Sequence, residues 1–164
     1  MAPLKAFLLA ARAAKTPVFG VCFGHQIMAE TFGGKAEKAD TGFVVGARAY
    51  QVGDREVRAH AMHQDQVTET PPGAVVTASA PYCPVAALAY DFPAASIQFH
   101  PEYTAPMMAD AADIFEGWMI TPEDAAETRA SLAPGDVEPD LWGAETAGFF
   151  RAHCDRAGQP PRSP

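Results

Sequence analysis

Two short motifs hold the residues whose types and spacing suit nucleophilic chemistry: Gly20-Val21-Cys22-Phe23-Gly24 and, far downstream, His100-Pro101-Glu102. A thiol attacks as its thiolate and needs a base to take its proton. That base needs a third group to hold its ring and stabilise the imidazolium. Cysteine, histidine and glutamate match those three roles. Each motif alone has a bland alternative, a buried structural cysteine in one case and a surface turn in the other. The two together, each at the end of a strand, carry the chemistry.

The elements that must position these residues can be read locally. Pro17 to Val21 is an apolar run, too short for a helix and suited to a strand buried on both faces. From Gly24 to Phe32 the pattern changes, with Ile27, Met28 and Phe32 at helical spacing and Gly33-Gly34 closing the segment. Cys22 therefore falls at a sharp strand-to-helix turn, a nucleophile elbow. Small flanking residues let the backbone turn there, and helix N-terminal N–H groups favour a thiolate. Ala95 to Phe99 predicts a second strand that delivers His100. Pro101 keeps Gln98 to His100 extended, so His100 and Glu102 project to one side. His25, next to the nucleophile, is expected to pack rather than to act as the base.

Leu4, Phe7, Leu8 and Ala11 recur at helical spacing before Thr16-Pro17, which predicts a helix leading into the elbow strand. The middle of the chain is strand-rich. Phe43 to Val52 and Glu56 to Ala61 flank a Gly53-Asp54 turn, and Val75 to Ser79 and Val85 to Tyr90 follow. Met107, Ala111, Ile114, Phe115 and Trp118 then predict an amphipathic helix. Thr121-Pro122-Glu123-Asp124 is a helix start with Thr as N-cap, and a further helix is expected from about Leu141 to Ala157. The organisation expected is one domain over 1–120, a helical extension over 121–157 and a disordered tail over 158–164.

Composition narrows the classes. The 164 residues carry 12 basic and 20 acidic side chains, a net charge of −8, with no basic cluster. That balance argues against nucleic-acid and anionic-membrane partners. Three cysteines, 22, 83 and 154, form no disulfide framework or paired zinc motif, which points to a reducing cytoplasm. His60, His63, His100 and Asp65 lack the fixed spacing of a metal site. A phosphate-cradling GxxxxGK[ST] loop is absent. No metal or cofactor is expected.

Gly20-Val21-Cys22-Phe23-Gly24-His25-Gln26 together with Gln98-Phe99-His100-Pro101-Glu102 resembles the class I glutamine amidotransferases. Met62-His63-Gln64-Asp65-Gln66-Val67 is similar to the His-x-Asp-x-Val element between those motifs in that family. The resemblance covers roughly residues 4 to 120. It implies an α/β fold, flavodoxin-like, with a mostly parallel sheet and flanking helices. It implies Cys22 as nucleophile, His100 as base and Glu102 as its orienter. The backbone N–H of Phe23 becomes an oxyanion donor, Gln26 a glutamine-binding residue, and His63, Gln64 and Asp65 part of the glutamine pocket.

The implied activity is hydrolysis of L-glutamine through a cysteine thioester, supplying ammonia to an acceptor on a separate synthase subunit. Family members carry further strands, and a glycine-containing loop with a second oxyanion donor, before the elbow. The expectation is therefore a chain without that N-terminal segment and with low activity alone, since one oxyanion donor is worth about 10²–10³ in turnover. A non-catalytic remnant or binding module is the alternative, as is a γ-glutamyl hydrolase or peptidase with the same triad. Gln26 argues for glutamine over a peptide.

Overall fold

A computed structural model describes residues 1–133, 137 and 139–157; the tail expected over 158–164 lies outside the described residues. The first helix, α1 (Ala2–Ala14), ends at Lys15 in a left-handed conformation (φ 52°) and leads into strand β1 (Val18–Val21). Of the apolar positions expected to face inward, Leu8 and Ala11 are buried, whereas Phe7 stays 60% exposed. Helix α2 (Phe23–Thr31) follows the elbow at once and ends before Gly33, which takes φ 99°.

Next come β2 (Lys35–Lys38), β3 (Val44–Val52), β4 (Arg55–His63), β5 (Asp65–Glu69), β6 (Val75–Ala80), β7 (Cys83–Ala89) and β8 (Ala94–Ile97). Gly53, at φ 56°, makes the tight β3–β4 turn that its sequence announces. Six strands form one sheet in the order β1-β8-β7-β6-β3-β4, and β2 pairs with β5 as a separate antiparallel ribbon. The α/β architecture with flanking helices is present. Among the described residues its parallel part is the β1/β8 pair, and the other ladders are antiparallel. The β2/β5 ribbon has no counterpart in the sequence expectation, because Lys35-Ala36-Glu37-Lys38 is charged and lacks an apolar face.

Helix α3 (Ala105–Phe115) starts at Thr104, whose hydroxyl accepts from the Met107 amide. Its inward face is only partly the one expected, with Phe115 packed against the core. Met108 and Ala112 are buried with Val45, Ile120 and Ala125, while Met107, Ile114 and Trp118 are exposed. Helix α4 (Pro122–Ala130) starts with the expected Thr cap, here a full capping box with Asp124. Helix α5 spans Pro139–Ala157. Its Trp142 packs on Phe99 (centroids 4.6 Å apart) and its Phe149 on Phe19 (5.7 Å). Phe99 in turn meets Tyr50 at 4.6 Å, so a row of aromatic rings backs the strand end that carries His100. On the elbow side, Leu8, Ile27, Met28, Phe32 and Ala94 close a second cluster that seats α1 and α2. None of the helices among the described residues is long and apolar enough to cross a membrane.

Candidate active site

Cys22 occupies the N-cap of α2 with φ 50° and ψ −103°. Apart from Lys15 it is the one described non-glycine residue at positive φ. A residue held there costs about 1–3 kcal/mol, which surrounding contacts must offset. One such contact is the Cys22 amide, which donates to the Ile97 carbonyl at 2.8 Å. The two glycines of the motif play unequal parts. A Cβ on Gly20 would lie 2.6 Å from the Met28 sulfur and 2.8 Å from the Gly24 backbone, whereas a Cβ on Gly24 meets nothing within 4 Å. Only Gly20 is required by the close approach of strand and helix.

The elbow does not by itself lower the thiol's pKa. Burial raises it, opposed by the Phe23 amide; Glu102 and Asp65 push it up further, and a hydrogen bond from Gln98 pulls it down, with a net rise. Helix-end polarity is thus outweighed by desolvation and two carboxylates. Cys83, fully buried, is pushed up to about 12, and Cys154 is an exposed free thiol on α5.

His100 lies just beyond β8. Gln98 and Phe99 bend instead of continuing the strand, and the His100 amide donates to the His60 carbonyl of β4 at 2.7 Å. The His100 Nδ1–H donates to Glu102 Oε1 at 2.6 Å. A turn, closed by Tyr103 N–H to the His100 carbonyl (3.3 Å), brings the two side chains together rather than the extended alternation expected. The His100 side chain is 10% exposed and that of Glu102 52%. Tyr103 stacks on the imidazole, centroids 4.0 Å apart. The sequence gives no hint of that contact.

The expected pocket residues gather on α2 and at the β4–β5 junction. Phe23 is 51% exposed at the first turn of α2, and Asp65 is exposed at the start of β5. Gln26 Nε2 donates to the Asp65 carbonyl (2.8 Å) and to Gln98 Oε1 (3.2 Å). Gln64 contributes its carbonyl to the Ala39 amide at 3.1 Å. His63 is buried, and desolvation takes its pKa down to about 4, with backbone contact to Asp65 opposing.

His25 is fully buried. Its Nε2 donates to the Val85 carbonyl (3.0 Å), which leaves Nδ1 to accept from the Ser96 hydroxyl (2.8 Å). These bonds tie the first turn of α2 to β7 and β8, in keeping with a packing role. Among the described residues no group of three or more His, Cys, Asp or Glu could hold a metal ion. Glu102 also borders an open groove with Phe19, Val21, Trp142 and Phe150, along the β1 edge of the sheet. A cavity of about 310 Å³ between α5 and the sheet, lined by Phe19, Ile97, Trp142 and Phe149 among others, includes none of Cys22, His100 and Glu102.

Comparison with known proteins bears on the family and the fold. The family model for glutamine amidotransferase class-I matches residues 3–112. A GMP synthase (glutamine-hydrolyzing) of Pseudomonas aeruginosa is 39% identical over 107 residues, covering 55% of this chain and 20% of that protein. A gamma-glutamyl peptidase 3 of Arabidopsis thaliana is 30% identical over 144 residues, covering 78% of this chain and 58% of that protein. The chain therefore spans about a fifth of one relative and a little over half of the other. The crystal structure of a glutamine amido transferase from Methylobacillus flagellatus superposes with a TM-score of 0.76 at 19% identity, over 99% of this chain and 72% of that one. That likeness is one of fold.

Proposed function

The chain belongs to the class I glutamine amidotransferase family, and from that premise we propose that it hydrolyses the side-chain amide of L-glutamine with Cys22 as nucleophile, His100 as base and Glu102 as its orienter. The Cys22 thiolate attacks the amide carbon, and the developing oxyanion takes a hydrogen bond from the Phe23 amide. His100 passes the thiol proton to the leaving nitrogen, ammonia departs, and a γ-glutamyl thioester remains. Water, deprotonated by His100, then attacks the thioester, and His100 gives that proton to sulfur as glutamate leaves. Because Nδ1 of His100 is engaged by Glu102, the proton traffic falls to Nε2. Gln26, His63, Gln64 and Asp65 line the glutamine pocket. The ammonia passes to an acceptor on a separate synthase subunit in the cytoplasm.

The observation that carries this reading is the cysteine held at positive φ on the N-terminus of α2. The test is labelling with diazo-norleucine, a glutamine-like electrophile, followed by peptide mapping. Labelling is expected at Cys22, abolished by Cys22→Ala and reduced by His100→Ala. Equal labelling of Cys83 or Cys154 would sink the assignment. Measurable label without turnover would favour a non-catalytic remnant.

A second reading, a γ-glutamyl hydrolase or peptidase using the same triad, draws support from the longer match to the peptidase, 144 residues against 107 for the synthase. Glutamate release from a γ-glutamyl dipeptide, measured beside ammonia release from glutamine, separates the two.

A further inference from the structure

We propose that Gln98 is a catalytic residue of this site, its carboxamide donating an N–H to the Cys22 sulfur and stabilising the thiolate as it forms. The proposal rests on the reading of Cys22 as nucleophile. It begins with register. β1 and β8 run parallel with Val21 opposite Ile97, so the residues that follow, Cys22 and Gln98, leave the sheet side by side. The Gln98 side chain is fully buried, and its Nε2 lies 3.7 Å from Cys22 Sγ, within hydrogen-bonding distance of a sulfur acceptor.

A carboxamide can usually be turned over, exchanging donor for acceptor. Here its orientation is fixed by a backbone group two links away. The Asp65 carbonyl can only accept, so the Gln26 atom 2.8 Å from it must be the NH2 nitrogen. The same nitrogen lies 3.2 Å from the Gln98 side chain, so the Gln98 atom facing it must be the oxygen. The Gln98 nitrogen is then left facing the sulfur. Donors thus run one way, from Gln26 to Asp65 and Gln98, and from Gln98 to Cys22.

The surroundings make such a donor useful. Glu102, His100 and Tyr103 face the site from the segment after β8, and Asp65 faces it from β5; both carboxylates oppose a thiolate. Against them stand the Phe23 amide and Gln98, two neutral donors that favour charge on sulfur without forming an ion pair with it. A charge-assisted hydrogen bond is stronger than a neutral one, so the Gln98 contact strengthens as the proton leaves.

The experiment measures the rate of Cys22 alkylation by iodoacetamide against pH in the full chain, with the site identified by peptide mapping. Gln98→Met fills similar volume without a donor. It is expected to slow alkylation at pH 7 about tenfold and to move the profile about one pH unit upward. Gln98→Glu should move it further, because a carboxylate then faces the sulfur. Gln26→Met leaves Gln98 in place but frees its amide to turn, so a smaller upward shift is expected. This variant keeps the test decisive if the buried substitutions prevent folding. Profiles of folded Gln98→Met and Gln26→Met that superimpose on the parent would overturn the proposal. Failure of diazo-norleucine to label Cys22 in the parent would instead remove the nucleophile assignment, and with it the premise for Gln98.

Discussion

The imidazole of His100 lies flat against the phenol ring of Tyr103, with centroids 4.0 Å apart and planes 7° from parallel. Glu102 fixes the ring through Nδ1, but one hydrogen bond leaves rotation about that axis open. The stacked phenol restricts it. Replacing Tyr103 with Phe keeps the flat contact and is expected to leave diazo-norleucine labelling of Cys22 within about 2-fold of the parent. Tyr103→Ala should slow it about 2- to 10-fold, the range of an aromatic contact worth about 0.5–1.5 kcal/mol. Equal rates for the Phe and Ala variants would show that stacking does not orient the His100 imidazole.

The two glycines of the elbow separate in a stability measurement. Gly20→Ala forces a methyl against the Met28 sulfur and the Gly24 backbone, and should cost about 1–3 kcal/mol. Gly24→Ala places its methyl in open space within α2, and should be neutral or stabilise by up to about 1 kcal/mol through helix propensity. Urea unfolding of both variants checks this. A Gly24→Ala cost as large as that of Gly20→Ala would contradict the packing account.

His25 gives the fold a pH dependence whose sign can be worked out. Burial lowers its pKa from 6.5 to about 4 in the folded chain, whereas the unfolded chain takes up the proton near the ordinary value. Between those values the unfolded state binds more protons, so stability is fully present above about pH 6.5 and is lost as the pH falls towards 4. For a fully buried ring the loss is of order 3 kcal/mol. His63, also held at about 4, acts in the same direction. His25→Met should be less stable than the parent at pH 7, having lost the Ser96 and Val85 hydrogen bonds, yet show a shallower decline between pH 7 and 5. Parallel declines would show that His25 does not carry this dependence.

What could be read from the sequence divides by range. Cys22 sits in a motif of a few residues whose local pattern, strand then turn then helix, survives in the structure nearly unchanged, while His100 and Glu102 keep their place after a strand but meet through a turn. The Gly53 turn and the Thr121 cap are equally local and equally legible. Gln98 stands inside one of those motifs, but its contact with Cys22 depends on β1/β8 register and on a carbonyl at Asp65. Neither leaves a mark in the spacing of residues. Tyr103 is close to His100 in sequence, yet its stacking follows from a turn where extension is expected. The inward face of α3 was obscured because Met107 and Met108 are adjacent and chemically alike, so periodicity could select either. β2 escaped because ribbon pairing with β5 does not need an apolar face.

The left-handed backbone of Cys22 bears on why a cysteine is there at all. Glycine would occupy φ 50° with less strain, so Cys22→Gly is expected to unfold at a higher urea concentration than the parent while losing every reaction of the thiol. Mutation under selection for folding alone would drift towards glycine at that position. Keeping a side chain on so unfavourable a torsion carries a stability penalty that contacts such as the Cys22 amide to Ile97 carbonyl bond must offset; in the proposed reaction that penalty is the cost of presenting the sulfur at the start of α2.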